Sequence, residues 1–338
     1  MDNNTVTFEQ NDSNAYPNQG VYYTPKKKSR ALPIILIVIA ALMVLYGIYL
    51  AVQSKDNNEG FGFKNEYVAV LDVIGEISGS AGTYNHSWMI QTIEDLKNDD
   101  NNKAIFLRVD SPGGSVYTSD ELYLKLKEYQ ETTKRPVYAY YGSMAASGGY
   151  YISAGADKII ANRNCWTGSI GVTLGTMYDF TGLMEKYGIK AETITSGSNK
   201  SMGSSFEEMS DEQRSIFQSL VDEAYDQFVG IVADGRKMTV AQVKKYADGR
   251  ILTANQALKA GLIDGVADEE SAMDELKNAL NNTEINFEYL EPDPVPGNIY
   301  DLFMESQSNS TLSELNALAE LIKNGNVFQV SYKANITR

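Results

Sequence analysis

A chain of 338 residues can bury a sizeable core, so one or two domains are expected. A net charge of -15 excludes the basic face that nucleic-acid binding needs. With one cysteine, Cys165, and one histidine, His86, an internal disulfide and the usual Cys/His zinc sites are excluded, and no metal or other cofactor is expected.

Residues 1–30 open as a tract rich in Asn, Gln, Ser and Tyr without apolar periodicity, which predicts a disordered tail. The tail ends in KKKSR (Lys26–Arg30), and an uncharged apolar run follows from Ala31 to Val52. At about 1.5 Å per residue this run reaches roughly 33 Å, enough to cross a hydrocarbon core about 30 Å thick. A cleaved leader is the rival reading, but its apolar region is normally about 7–15 residues and starts nearer the N-terminus. Residues 31–52 therefore read as one transmembrane helix. Basic residues crowd its N-terminal side, whereas Lys55 and Lys64 on the other side are diluted by Asp56, Glu59 and Glu66. The positive-inside rule then predicts a single-pass protein of the cell membrane, its N-terminus cytoplasmic and its main domain extracellular.

Residues 53–65 read as a Gly/Asn/Lys linker, and residues 66–290 as the main domain. Tyr67–Ile77 predicts a strand and His86–Asn98 a helix. Ala104–Asp110 is a near-continuous apolar strand of the kind buried on both faces. A helix from about Ser115 to Thr132, a strand at Pro136–Tyr141, a helix near Ala146–Ala156 and a short strand at Lys158–Asn162 continue the alternation. This pattern predicts an α/β fold with a largely parallel sheet. Cys165, beside Trp166, reads as a small buried hydrophobe rather than a reactive thiol. A helix from about Asp211 to Val232 carries Phe217, Leu220, Ala224, Phe228 and Ile231 on one stripe, read as a packing face. After EPDPVPGN (Glu291–Asn298) the chain turns polar. Residues 291–338 are expected to be loosely attached, with an amphipathic helix open to residues 313–325. Docking of this tail as an inhibitor in the groove of its own assembly is one role it could take.

Three small-residue clusters lie where strands end: Asp110–Val116, Ser143–Tyr151 and Thr167–Val172. Any one could be turn punctuation. Together they matter more, because open α/β sheets place their sites at the C-terminal ends of strands. The first cluster lacks both the G-x-G-x-x-G spacing and the P-loop lysine. Its adjacent Gly113 and Gly114 could instead bring N–H groups close to a developing negative charge, as an oxyanion hole requires. Ser147 precedes Gly148 and Gly149, so it is either a helix N-cap or a nucleophile. A nucleophile needs a base within about 3 Å, and His86, in TYNHSW, reads as a surface or capping residue. A lysine is the remaining candidate base. To act so it must be neutral, and moving a lysine pKa from about 10.4 to about 7 takes about 4.6 kcal/mol, which only burial away from carboxylates supplies. Lys200, in TSGSNKSMGSS, has small neutral neighbours and no acid until Glu207. Local sequence does not choose among the lysines.

The segments VDSPGGSV, ASGGYYIS, TGSIGV and DGRILTANQALKAGLID, in that order, resemble those of the bacterial signal peptide peptidase SppA family, membrane-anchored serine proteases of the ClpP/crotonase superfamily. The resemblance runs from about Tyr67 to Val266. It implies a ClpP/crotonase-like fold of repeated β-β-α units. It also implies Ser147 as nucleophile, Lys200 as general base, Gly114 with Gly113 in the oxyanion-hole segment, and Ser169 orienting the lysine. Where the family usually has Asp after the lysine, this chain has Ser201. Small single-repeat members form dome-like rings in which neighbouring subunits supply the serine and the lysine of one site, so the resemblance implies a homo-oligomer, an octamer. The function it implies is a membrane-bound endopeptidase degrading remnant signal peptides. Two alternatives remain: a non-proteolytic, membrane-anchored scaffold of the same fold, or a crotonase-like acyl-CoA enzyme, which the external placement disfavours.

Overall fold

The computed structural model describes residues 41–46, 61–79 and 83–292, and the backbone of 331–333. The chain divides into two units, Met1–Asn58 and Glu59–Arg338. In the first, residues 41–46 are helical. The rest of the predicted span 31–52, the tail 1–30 and the proposed helix at 313–325 lie outside the described residues. Among the described residues, no helix is long and apolar enough to cross a membrane.

The second unit is mixed α/β. Its strands are β1 (Tyr67–Ile74), β2 (Asn102–Ser111), β3 (Gly113–Ser115), β4 (Val137–Ala146), β5 (Lys158–Ala161), β6 (Trp166–Gly168), β7 (Ile251–Thr253), β8 (Gly265–Val266), β9 (Asn286–Leu290) and β10 (Ser331–Lys333). Its helices are α1 (His86–Asn98), α2 (Val116–Thr133), α3 (Gly148–Tyr151), α4 (Thr181–Tyr187), α5 (Asp211–Gly235), α6 (Val240–Val243), α7 (Ala254–Ala260) and α8 (Glu269–Ala279). The main sheet runs β7-β6-β4-β2-β1-β9, with β5 pairing β4 and β8. Its pairs are parallel except β6–β7. The predicted largely parallel α/β architecture is therefore observed, and β2–β3–α2 is one β-β-α unit.

Strand periodicity explains why the apolar runs are continuous. Ala69, Leu71 and Val73 of β1 face one core with Ile105, Leu107 and Val109 of β2. Val68, Val70 and Phe106 face a second core on the other side. The first core is closed by Met89, Ile93 and Leu96 of α1 and by Leu122, Leu126 and Tyr129 of α2. The second is closed by Ala272 and Leu276 of α8.

Several expectations are corrected. β1 ends at Ile74 because Gly75 turns to φ +83°, after which Ile77 bridges Gly114. Within the predicted linker, Phe61 and Phe63 pack against the first core and Asn101 Nδ2 donates to the Phe63 carbonyl at 2.8 Å. The helix expected near 146–156 is only Gly148–Tyr151, because β4 continues through Ala146. The stripe on α5 packs mainly in its C-terminal half. Phe217 and Phe228 are buried with Val229, Val232 and Ala233, while Leu220 is 42% exposed. Cys165 is fully buried as expected, and burial pushes its thiol up to about 12. Within the C-terminal segment, residues 331–333 form a strand antiparallel to β3.

Candidate active site

The site is built where β2, β3, β4 and β6 end. Opposite Asp110, the register of β4 against β2 slips, so that Val109 pairs with Tyr141 but Ser111 with Ala145. The Asp110 carboxylate fills this bulge, accepting from Ser143 Oγ at 2.6 Å and Met144 N at 3.2 Å. β4 thus runs on to pair Ala146 with Gly168 of β6, and Ser147 emerges at its tip.

Ser147 has φ 55° and ψ -116°, a region that costs a residue with a Cβ roughly 1–3 kcal/mol. Backbone bonds hold it there. Its amide donates to the Gly168 carbonyl at 2.8 Å, and its carbonyl accepts from Tyr150 N and Tyr151 N. It occupies the N-cap position of α3, yet its side chain makes no capping bond. Its Oγ is buried without a hydrogen-bond partner among the described residues. The capping role left open by the sequence is thereby removed. A serine on a strained strand-to-helix turn with an uncommitted hydroxyl is the arrangement of a nucleophile elbow.

Gly113 and Gly114 lie beside this turn. Ile77 N donates to the Gly113 carbonyl and Ser115 N to the Ile77 carbonyl, each at 2.9 Å. By alternation, the N–H and C=O of Gly114 face the opposite edge, the one that β10 occupies. Position 114 must be glycine, since a Cβ there would stand 1.8 Å from the Ile77 carbonyl oxygen. Gly148 packs against the same strand, its added Cβ falling 3.0 Å from the Gly114 nitrogen.

Ser147 and Ser169 line one cavity of about 520 Å³, together with Thr173, Asp222 and Tyr225 and the Ala247–Gly249 loop. Ser169, at φ 51°, is held by its amide donating to the Arg250 carbonyl at 2.8 Å. Arg250 binds Asp248 through Nε at 2.6 Å and holds that carboxyl at about 2. Asp222 and Tyr225 were not legible from the sequence: they lie off the stripe read as packing, and no local motif marks them.

The other candidates lie elsewhere. No lysine, arginine or histidine lines this cavity among the described residues. Lys200 is exposed, in the segment between β6 and α5, and this single chain does not bring it to Ser147. The same segment leaves large apolar side chains uncovered: Leu183, Tyr187 and Ile189 are more than half exposed, and Ile194 is 93% exposed. α4 buries none of its residues. His86 is neither a surface histidine nor a cap, the cap of α1 being Asn85. Its ring is bound by Tyr84 Oη at 2.8 Å and Glu121 Oε2 at 2.7 Å.

Residues 129–283 match the family described as peptidase family S49. A protein from Enterococcus faecium described as a signal peptide peptidase SppA is 38% identical over 230 residues, covering 66% of each chain. A protein from Synechocystis described as a protease is 44% identical over 183 residues, covering 54% of this chain and 64% of its own. One from Methanocaldococcus jannaschii, also described as a protease, is 35% identical over 265 residues, covering 75% of this chain and 84% of its own. The chain thus spans just under two thirds of the first two relatives.

Proposed function

Because the chain belongs to peptidase family S49, the SppA family of serine peptidases, we propose that it is a membrane-bound endopeptidase working through Ser147 and Lys200. Its substrates are remnant signal peptides released from secreted preproteins. Residues 31–52 anchor it in the lipid, with the N-terminus cytoplasmic and the catalytic domain outside. The observation that carries the reading is Ser147, a strained elbow with a buried, unpartnered Oγ beside the Gly114 amide.

In the proposed reaction Ser147 Oγ attacks the peptide carbonyl carbon as neutral Lys200 takes its proton. The N–H groups of Gly114 and Gly148 receive the oxyanion. Collapse breaks the C–N bond, and the lysine returns the proton to the leaving amine. Water then attacks the ester, again deprotonated by the lysine, and releases the acid and Ser147. Ser169, at the same cavity, orients the amine.

The base comes from a neighbouring copy in this reading. Two observations support that: among the described residues no lysine of the same chain lines the cavity, and Lys200 rides on a segment whose apolar face is uncovered, as an unassembled interface would be. A head-to-tail ring, an octamer, gives every copy one serine and one lysine site partner. An extended peptide has a place to lie, since the outer edge of β3 accepts an antiparallel strand, as it does with residues 331–333.

The test is cleavage of a signal-peptide-like substrate by the full-length protein in detergent, as wild type, Ser147→Ala and Lys200→Ala. Loss in both variants is expected. Full activity of Lys200→Ala refutes the base assignment, and no cleavage by any of the three favours the non-proteolytic scaffold.

A further inference from the structure

The N-terminal end of α2 carries a hydroxyl with no bond among the described residues. Ser119 is fully buried, and its Oγ has no hydrogen-bond partner among the described residues. A serine inside a helix ordinarily bonds back to the carbonyl four residues earlier or points to solvent. Ser119 does neither.

Its location gives the hydroxyl a use. A Cβ added to Gly148 would lie 2.6 Å from Ser119 Oγ, 3.0 Å from the Gly114 nitrogen and 3.1 Å from Gly113 Cα. The Ser119 oxygen and the Gly114 amide nitrogen therefore both crowd the space where a side chain of residue 148 would begin. The next residue fixes the same turn of α2 to α3. Asp120 Oδ1 accepts from Tyr151 Oη at 2.6 Å and from Gln227 Nε2 at 3.1 Å, and Gln227 also donates to Tyr151 Oη at 2.8 Å. The N-terminal end of α2 is thus the floor on which the turn around Ser147 rests.

We propose that Ser119 is a positioning residue of the acyl-transfer site: its Oγ bears on Gly148 Cα and fixes the separation of the Gly148 and Gly114 N–H groups. An oxygen suits this place because it accepts a Cα–H at a closer approach than a methyl group allows. A buried, unpartnered hydroxyl destabilises the folded free enzyme relative to an apolar group in the same space. Alanine at 119 would relieve that cost but leave a gap under Gly148, and donors a fraction of an ångström out of place stabilise the oxyanion less well. The hydroxyl therefore serves the transition state and not the free fold. This inference rests on the peptidase reading given above.

The experiment compares wild type, Ser119→Ala and Ser147→Ala as full-length proteins. For Ser119→Ala, kcat should fall about tenfold with KM within about twofold, the pattern of an interaction realised only in the transition state. Its Tm should stay within about 2 °C of wild type or rise. Affinity for a peptide aldehyde, which adds to Ser147 Oγ as a hemiacetal and loads the oxyanion hole, should fall in step with kcat. Affinity for the matching peptide alcohol should not change. An unchanged kcat overturns the assignment while leaving the peptidase reading intact. A kcat loss with a Tm drop of more than about 5 °C marks an ordinary packing serine and overturns it too. A wild type that cleaves nothing, or a Ser147→Ala variant that still captures the aldehyde, sinks the peptidase reading and this inference with it.

Discussion

Tyr332 stands opposite Gly114 across the antiparallel pair of β10 and β3. The Gly114 amide proposed for the oxyanion therefore faces backbone from the end of the same chain. A substrate lying on that edge has to displace residues 331–333. Deleting residues 328–338 should raise kcat/KM several-fold, chiefly through a lower KM, because uniform competition is removed. A synthetic peptide of residues 326–338 should then inhibit the truncated enzyme competitively. Equal KM values for the full and truncated chains would contradict this.

Cys165 gives a simple check on the core beside the site. It is fully buried, and its thiol is pushed up to about 12 by desolvation. At pH 8 only about one molecule in ten thousand would carry the thiolate, the reactive form. A thiol reagent should leave the native protein unmodified for hours and label it within minutes in denaturant. Rapid labelling of the native protein would show that this end of the sheet is open.

Acid should weaken the clasp between α1 and α2. Lys125 and Lys97 bond Glu94 and hold its carboxyl at about 2, below the ordinary 4.5. A group lowered in the folded state contributes stability above its unfolded value and loses it as pH falls through the folded one. The contribution is therefore present above about pH 4.5 and fades down to about pH 2. Because the cluster is partly exposed, salt should reduce it. Thermal melts of wild type and Glu94→Gln from pH 6 to pH 2 should converge as pH falls. Parallel curves would remove Glu94 from the acid response.

The parts of this fold that depend on local pattern were readable. β1, β2, β4 and β5 announce themselves as apolar runs because both faces of the sheet are covered, and His86–Asn98 was read to its bounds. The glycine clusters do close the strands as read, and two of their glycines are tightly packed: an added Cβ would stand 1.8 Å from the Ile77 carbonyl oxygen at Gly114 and 2.6 Å from Ser119 Oγ at Gly148. What failed depends on tertiary context. The stripe on α5 looks uniform, yet Leu220 is 42% exposed whereas Phe228 is fully buried. Ser-Tyr-Lys at 331–333 has no periodicity, and only the open edge of β3 makes it a strand. Nothing in the sequence marks Ser119, because an unpartnered hydroxyl is visible only once its neighbours are in place.

The central claim is that Ser147 of one copy works with Lys200 of another, and subunit mixing tests it directly. Ser147→Ala and Lys200→Ala proteins, each inactive alone, are dissociated, combined in equal amounts and reassembled. In a head-to-tail ring, random mixing should place an intact serine beside an intact lysine at about a quarter of the sites, restoring about a quarter of wild-type cleavage. Continued inactivity of a mixture shown to form mixed assemblies would contradict a shared site.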